Sequence, residues 1–150
     1  MMRKNTIYLD TSVISALFDE RTPERKALTR EFWEKDHNYE KFLSEITVNE
    51  INAATESLRN KMNQEVENIP ILPLTVEIEL LANEYIKNEI FPEKYRNDAL
   101  HISVATINEI EYLLSWNFRH LVKVKTRRLV NLINELKGYS SIEIIAPPEL

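Results

Sequence analysis

Short apolar runs alternate along the chain with longer segments whose apolar residues recur at helical spacing. The runs are rich in β-branched and aromatic residues, which favour strands. Strands are predicted over Thr6–Asp10, Lys41–Ile46, Pro70–Leu74, Tyr112–Trp116 and Ile142–Ile145. Helices are predicted over Ser12–Phe18, Pro23–Asp36, Thr47 onwards (resuming through about Glu67), Thr75–Asn88, Asn97–Glu109 and Leu121–Lys137. This alternation predicts a parallel sheet with helices on both faces.

Several local signals refine these boundaries. Ser12 is a good N-cap for the first helix, and Thr47-x-x-Glu50 fits a capping box in which two side chains satisfy free backbone amides. Two prolines should keep the strand Pro70–Leu74 near a sheet edge, because proline cannot donate to a neighbouring strand. Gly138 is expected to end the last helix in the left-handed conformation.

Composition removes several kinds of chemistry. The chain contains no Cys, one Gly and three His, at positions 37, 101 and 120. No disulfide, thiolate nucleophile or cysteine-based metal site is therefore possible, and glycine-rich phosphate loops are excluded. The histidines are too scattered for a helical zinc motif. What remains is chemistry based on carboxylates, hydroxyls, amides and a hard cation such as Mg²⁺.

The length of 150 residues suits a single domain, 1–150. The first residues lack the apolar core of a signal peptide, and the longest uncharged run, Ala99–Asn108, is too short to span a bilayer. We therefore expect a cytoplasmic protein without membrane contact. The net charge is −5, but residues 116–138 contribute +5 and the rest −10. This basic stretch is either a solvated face or a phosphate-binding one.

Polar residues follow the predicted strands. Asp10 ends the first strand, Glu50 lies one turn into the helix after the second, and Asn117 follows the fourth. Function in an open parallel sheet collects at the carboxyl ends of the strands, near the point where strand order reverses. Asp98 opens the helix that leads to the fourth strand and could reach the same edge. Several acids gathered there would repel one another unless a cation such as Mg²⁺ or Mn²⁺ lay among them.

Each of these residues also has an ordinary structural interpretation. An acid at a helix N-terminus, such as Asp98, often only compensates the helix dipole, and Asn117 is a common N-cap. His101 lies one turn after Asp98, and a buried or supporting histidine is favoured there over a metal ligand. Thr11 and Ser12 either orient Asp10 or cap the first helix.

The chain also resembles the PIN-domain family, a nuclease-like fold that includes the VapC-type toxins of toxin–antitoxin systems. Four segments carry the resemblance in order: YLDTSVIS (8–15), SEITVNEI (44–51), RNDALHISVA (96–105) and LLSWNFRHL (113–121). The tail GYSSIEIIAP (138–147) is similar to one subset of prokaryotic PIN proteins. The resemblance covers nearly the whole chain. It implies a three-layer α/β/α PIN-like fold with a central, mainly parallel sheet of about five strands.

The resemblance also implies an activity. PIN proteins cut RNA with acids clustered around Mg²⁺ or Mn²⁺, and by position those acids fall on Asp10, Glu50 and Asp98. The fourth acidic position falls on Asn117, which brings a neutral oxygen instead of a charge. The acids would be oriented by a second layer of residues around the site: Ser12, Thr11 and His101. RNA would be seated by the basic residues Arg119, Lys123, Lys125, Arg127 and Arg128. Family members commonly form homodimers, and the toxins are held inactive by a small antitoxin protein.

Two alternatives remain open from the sequence. The first is a PIN scaffold that binds RNA or protein with weak or no catalysis, and Asn117 at the fourth acidic position is the feature in its favour. The second is a phospho-acceptor domain of the receiver type. Such a domain should carry paired acids after its first strand, whereas this chain has Asp10 followed by Thr11 and Ser12.

Overall fold

The computed structural model describes residues 4–35 and 38–150. Asp36, at the end of the second predicted helix, and His37 lie outside the described residues. The strands are β1 (Asn5–Leu9), β2 (Tyr39–Ser44), β3 (Ile71–Leu72), β4 (Tyr112–Leu114) and β5 (Glu143–Ile145). The α-helices are α1 (Thr11–Ala16), α2 (Pro23–Glu34), α3 (Glu45–Asn52), α4 (Glu56–Glu65), α5 (Val76–Lys87), α6 (Arg96–Ile107) and α7 (Val124–Leu136). Short 3₁₀ turns cover Glu93–Tyr95 and Pro147–Glu149.

The five strands form one sheet in the order β3-β2-β1-β4-β5, and every neighbouring pair is parallel. The predicted parallel sheet of about five strands is confirmed, and β3, which follows Pro70, lies at an edge as expected. Strand order reverses between β1 and β4, where Ile7 pairs with Tyr112 and Leu9 with Leu114. The carboxyl ends of these two central strands therefore meet at the switch point of the sheet.

Successive side chains of the central strands point to opposite faces, and each face carries its own apolar core. Ile7 and Leu9 pack with residues of α1, α2 and α4. Tyr8 and Leu113 pack on the other side with residues of α5, α6 and α7. The molecule is thus a three-layer α/β/α structure, as the resemblance implied. No helix in the described part of the chain is long and apolar enough to cross a membrane.

Two predicted caps are wrong, and in both cases the cap lies on the strand side of the predicted residue. Asp10, not Ser12, caps α1, because the Asp10 carboxylate accepts a hydrogen bond from the Ser12 amide at 2.7 Å. Ser44 caps α3 by accepting from the Ile46 amide. Thr47 is therefore inside the helix and fully buried, so the predicted capping box with Glu50 does not form. The burial of Thr47 in the core thus outweighs the capping-box pattern in deciding where α3 begins.

The segment after β4 also differs from prediction. The strand ends at Leu114 instead of Trp116, and α7 begins at Val124 instead of Leu121. Between them the chain turns tightly, with the Asn117 carbonyl accepting from the amides of Leu121 and Val122. At the other end of α7 the prediction is confirmed, since Gly138 has a φ of +83° just beyond the helix.

Candidate active site

Asp10 is fixed at the switch point of the sheet. Its amide donates to the Leu114 carbonyl at 3.1 Å, which ties the end of β1 to the end of β4. One carboxylate oxygen accepts from the Ser12 amide and the other from the hydroxyl of Ser115. The residue is only 6% exposed. The orientation of the Asp10 carboxylate is therefore fixed by residues that follow both central strands.

Ser115 is a site residue that sequence reasoning missed. Its hydroxyl donates to Asp10 and accepts from the Asn117 amide at 2.9 Å. The Ser12 hydroxyl accepts from the Trp116 amide at 2.9 Å and lies 3.4 Å from the Ser115 hydroxyl, so it contacts the partner of Asp10. A serine directly after a buried apolar strand was the available signal, because a buried hydroxyl needs a partner.

Glu50 reaches the same edge from α3. Its Oε1 accepts from Thr11 Oγ1 at 2.7 Å and lies 2.6 Å from His101 Nε2. Thr11 therefore orients Glu50 rather than Asp10. Burial would raise the pKa of Glu50, but hydrogen bonds and charge from His101, with further bonds from Thr11 and Asn97, lower it. The environment holds Glu50 in its ionised form.

His101 is buried behind Glu50. Its Nδ1 lies 2.5 Å from the Tyr8 hydroxyl, which in turn lies 2.7 Å from Ser44 Oγ. Burial alone would lower the pKa of His101, but Tyr8, Glu50 and Asp10 raise it well above its ordinary value. Both ring nitrogens already have protein partners.

Asp98 completes the acidic group from the first turn of α6. Burial and the charges of Asp10 and Glu50 raise the pKa of Asp98 to about 6, against a smaller opposing effect of His101. Within residues 4–35 and 38–150, no hydrogen bond is found to its carboxylate. Of the three acids, Asp98 is thus the one whose charge is poorly compensated, and it opens on a shallow depression shared with Glu50 and Tyr95.

The donor set fits a hard divalent cation. Asp10, Glu50 and Asp98 supply only oxygen ligands, and the mutual repulsion that raises the pKa of Asp98 is what a cation would relieve. Across the described residues, however, no three His, Asp or Glu side chains are close enough together to form a ready-made metal site. The acids share one negative region without converging on a point.

Asn117 caps the turn that follows β4. Its side-chain oxygen accepts from the His120 backbone amide at 2.9 Å, and its backbone amide donates to the Ser115 hydroxyl. We expected it to cap a helix or to face the site, and it caps a turn, since α7 begins only at Val124. Asn117 is nevertheless connected to Asp10 through Ser115, which hydrogen-bonds to both residues.

The predicted basic residues divide into two groups. Arg119 and Lys123 flank His120, whose ring packs against Tyr95 with centroids 4.1 Å apart. Burial and the charges of Arg119, Lys123 and Lys94 lower the pKa of His120, so these cations lie close together beside the start of α6. Sequence reasoning missed Lys94 and its neighbour Arg96, because they stand outside the basic stretch.

The second group lies further along α7. Arg127 reaches the Ile144 carbonyl at 3.4 Å, and Lys125 is exposed. Arg128 lines a depression with Asn131 and Ser141, just before β5 begins. That end of the sheet lies opposite the carboxyl ends of the strands. We call the carboxyl end, where Asp10, Glu50 and Asp98 lie, the acidic edge. The structure therefore brings Arg119 and Lys123 towards the acids and does not bring Arg128 there.

Comparison with known proteins gives a consistent result. A family model described as PIN domain matches residues 7–125. No curated protein matches the chain in sequence. Among solved structures, the sarcin–ricin-loop-cleaving toxin VapC20 of Mycobacterium tuberculosis is similar, with a TM-score of 0.55 and 17% identity over 71% of this chain and 86% of that one.

Two complexes are similar over nearly the full length. VapBC2 of Rickettsia felis, bound to a DNA fragment from its promoter, gives a TM-score of 0.57 at 13% identity, covering 93% of this chain and 96% of that one. VapBC-1 of nontypeable Haemophilus influenzae gives 0.59 at 15% identity, covering 95% and 98%. At these identities the likeness establishes the fold.

Proposed function

Since the chain belongs to the PIN-domain family, a family of nucleases, we propose that it is a metal-dependent endoribonuclease and the toxin of a type II, VapBC-like toxin–antitoxin pair. The observation that carries the proposal is the acidic group at the switch point, where burial and the charges of Asp10 and Glu50 raise the pKa of Asp98 to about 6. Such crowding of acids, in which burial and the charges of Asp10 and Glu50 outweigh the opposing charge of His101, is typical of a site built for a cation and a phosphate.

Asp10, Glu50 and Asp98 would hold Mg²⁺ or Mn²⁺. The bound cation would supply Lewis-acid stabilisation of charge on the scissile phosphate and would lower the pKa of a water. Asp10 is suited to be the fixed ligand, because the Ser12 amide and the Ser115 hydroxyl already set its direction. Asp98 is suited to change its protonation state when the cation enters.

Glu50 would orient the attacking water or complete the ligand set. Thr11 and His101 both bond to its Oε1 and fix the direction of the carboxylate, and Asn97 adds a further bond. The lowered pKa of Glu50 keeps its carboxylate a hydrogen-bond acceptor at neutral pH. Asn117 accepts from His120 through Oδ1, so its Nδ2 remains as a donor for a phosphate oxygen.

The substrate would be RNA, seated by cations that flank the acids. Arg119 and Lys123, with Lys94, stand nearest to the start of α6, and Lys125, Arg127 and Arg128 would extend contact along α7. The fold likeness to VapBC-1 and VapBC2 supports a small antitoxin as partner. A homodimer is part of the same proposal.

A catalytically weak scaffold that binds RNA or protein is the second candidate. Asn117 in place of a fourth acid favours it, and so does the lack of three converging ligands among the described residues. Metal-dependent cleavage separates the two candidates.

The test is cleavage of a mixed-sequence RNA by purified protein in Mn²⁺ and in EDTA. Wild type should cleave only with metal. Asp98→Asn should reduce the rate about 100-fold, since loss of a residue that only supports a metal ligand already costs about 10–100-fold. Glu135→Gln is the matched control, because it removes the same charge from an exposed position near the opposite edge of the sheet. Wild type that binds RNA without cleaving it would establish the scaffold instead.

A further inference from the structure

Two aromatic rings and a guanidinium group cluster beside the acidic edge. The Arg25 guanidinium lies 5.0 Å from the centre of the Trp116 ring and 5.8 Å from that of Phe118. The two rings meet edge to face, with centroids 6.1 Å apart and planes at 68°. Phe118 is 49% exposed, although it is one of the larger apolar side chains of the protein.

The base of this cluster is rigid. Trp116 is 7% exposed, and its Nε1 donates to the buried Thr29 hydroxyl at 2.9 Å. Arg25 contacts the rings and makes no salt bridge within the part of the chain that the structure describes. The cluster therefore presents an aromatic surface and a positive charge, with Phe118 standing out from a fixed base.

The cluster is linked to the acids by short hydrogen bonds. The Trp116 amide donates to Ser12 Oγ, and the Ser12 amide donates to Asp10. Phe118 is the residue after Asn117, whose amide donates to Ser115. A depression of about 520 Å³, lined by Pro23, Arg25 and Trp116 among others, lies next to the rings.

From this placement we propose that Arg25, Trp116 and Phe118 form a stacking site for an unpaired nucleobase of the RNA, one that flanks the scissile phosphate. The proposal rests on the proposed ribonuclease function. A base has a flat π face that stacks on an exposed aromatic ring, and a guanidinium beside that ring adds cation–π attraction. The neighbouring backbone phosphate would be held at the acidic edge through the cation.

The proposal defines the class of substrate. A duplex keeps its bases stacked inside, so only single strands, loops or bulges can offer a base to Phe118. Stacking accepts every base, so the site should select unpaired structure more strongly than sequence. An RNA occupant is favoured over a protein segment because the cluster continues directly into the proposed phosphate site and carries a cation.

The experiment measures binding of a fluorescent, unstructured RNA and of a matched RNA duplex in Ca²⁺, a cation that binds carboxylate oxygens. A gel verifies that both RNAs stay intact during the measurement. Phe118→Ala should weaken binding of the single strand about ten-fold or more, while Phe118→Trp should retain it. Duplex binding should change less than two-fold. Leu136→Ala is the matched control, because it removes an exposed apolar side chain at the far end of α7. Thermal melting verifies that each variant is folded.

A second arm uses the same RNA with single abasic positions. One abasic position near the cleavage site should weaken binding to wild type and add no further loss to Phe118→Ala. Equal binding of all RNAs by wild type and Phe118→Ala would overturn the stacking site and leave the ribonuclease proposal standing. If wild type bound no RNA at all, the proposed function itself would fail. If Phe118→Ala kept RNA binding but lost self-association, the cluster would be a contact between copies instead.

Discussion

His101 Nε2 lies 2.6 Å from Glu50 Oε1, and this contact joins the acidic edge to the buried core. The imidazole is 1% exposed, whereas the Glu50 side chain is 34% exposed. Through Nδ1 the ring continues to Tyr8, and through Tyr8 to Ser44. The direction of a solvent-facing carboxylate is thus determined by hydrogen bonds that begin inside the sheet.

Loss of His101 should destabilise the protein. His101→Ala removes one hydrogen bond from each of two groups: the Glu50 carboxylate, which keeps its bond from Thr11, and the Tyr8 hydroxyl, which keeps Ser44. Because both groups keep a partner and Glu50 is partly exposed, the free energy of unfolding should fall by about 2 kcal/mol. Urea denaturation measures it. His101→Gln, whose side chain can bond to only one of the two groups, should recover part of the lost free energy of unfolding. If His101→Ala unfolded at the wild-type urea midpoint, the hydrogen bonds that connect Glu50, His101 and Tyr8 would contribute nothing to stability.

The same pair should give stability a defined pH dependence. The pKa of His101 is raised in the folded state, so its contribution is fully present below the unfolded value of about 6.5 and is lost as pH rises through the folded pKa. The difference in unfolding free energy between wild type and His101→Gln should therefore shrink in alkaline solution. Urea titrations at matched ionic strength measure it, and a difference that grows with pH would reverse the assignment.

Asp98 should give a pH dependence of the same sign, because its pKa is also raised in the folded state. Its folded pKa of about 6 lies above the ordinary 3.8, so the native state binds the extra proton and metal-free stability should fall as pH rises between these values. Asp98→Asn should remove this fall and stabilise the metal-free protein at neutral pH by about 1 kcal/mol, after allowing for solvent screening of a partly exposed carboxylate.

Asp10→Asn is the matched comparison for that prediction. It removes the same charge and keeps the cap of α1, because asparagine caps about as well as aspartate. It also replaces the oxygen that accepts from the Ser115 hydroxyl with an NH2 group, so it should not stabilise. Melting temperatures in EDTA at neutral pH compare the two variants. If Asp10→Asn stabilised more than Asp98→Asn, Asp10 would be the strained acid of the site.

The positions of the acids were predictable, and their partners were not. Asp10 was predictable because it ends a strand that a hydrophobic pattern delimits, and parallel strands bring such ends together. Asp98 opens the helix before β4, and the pattern indicated only that it could reach the same edge. The partner of Asp10 is Ser115, 105 residues away. The pairing of hydroxyl groups with acids depends on the strand register to within one residue, and a hydrophobic pattern does not contain that register. The hydroxyls in question are those of Ser12, Thr11 and Ser115.

The basic residues show the same limit. Contiguity in sequence suggested one face from Arg119 to Arg128. Arg119 and Lys123 precede α7 and lie beside the start of α6, whereas Arg128 lines a depression near the start of β5. Lys94 joins the acidic edge through the Tyr95–His120 contact, which links segments 25 residues apart in sequence. Tertiary packing decides this grouping.

The division of the basic residues predicts unequal effects on RNA binding. Arg119→Gln with Lys123→Gln should flatten the dependence of log affinity on log salt, by roughly 0.7 for each phosphate contact with a single strand. Lys125→Gln with Arg128→Gln carries the same charge change and should flatten it less. Filter binding over a salt series measures both slopes. Equal slopes for the two double variants would mean that RNA follows α7 rather than the acidic edge.

The final prediction concerns Asn117, where the chain lacks the fourth acid. Asn117→Asp should keep the turn, because aspartate caps about as well as asparagine and the His120 amide remains available. It also adds a negative charge to the loop that already bonds to Ser115, and through it to Asp10. Without metal, this charge should raise the pKa of Asp98 further and lower the melting temperature.

Mn²⁺ should reverse that loss. A cation binds four carboxylates more tightly than three. Binding to the native state adds stability that grows with the logarithm of the ratio of free metal concentration to Kd. Calorimetry should therefore show tighter Mn²⁺ binding by Asn117→Asp than by wild type, with a larger metal-induced rise in melting temperature. Asn117→Ala is the control for the cap alone and should lower the melting temperature equally with and without metal. If Asn117→Asp melted like wild type in both conditions, position 117 would only cap the turn, and the cation would depend on three acids.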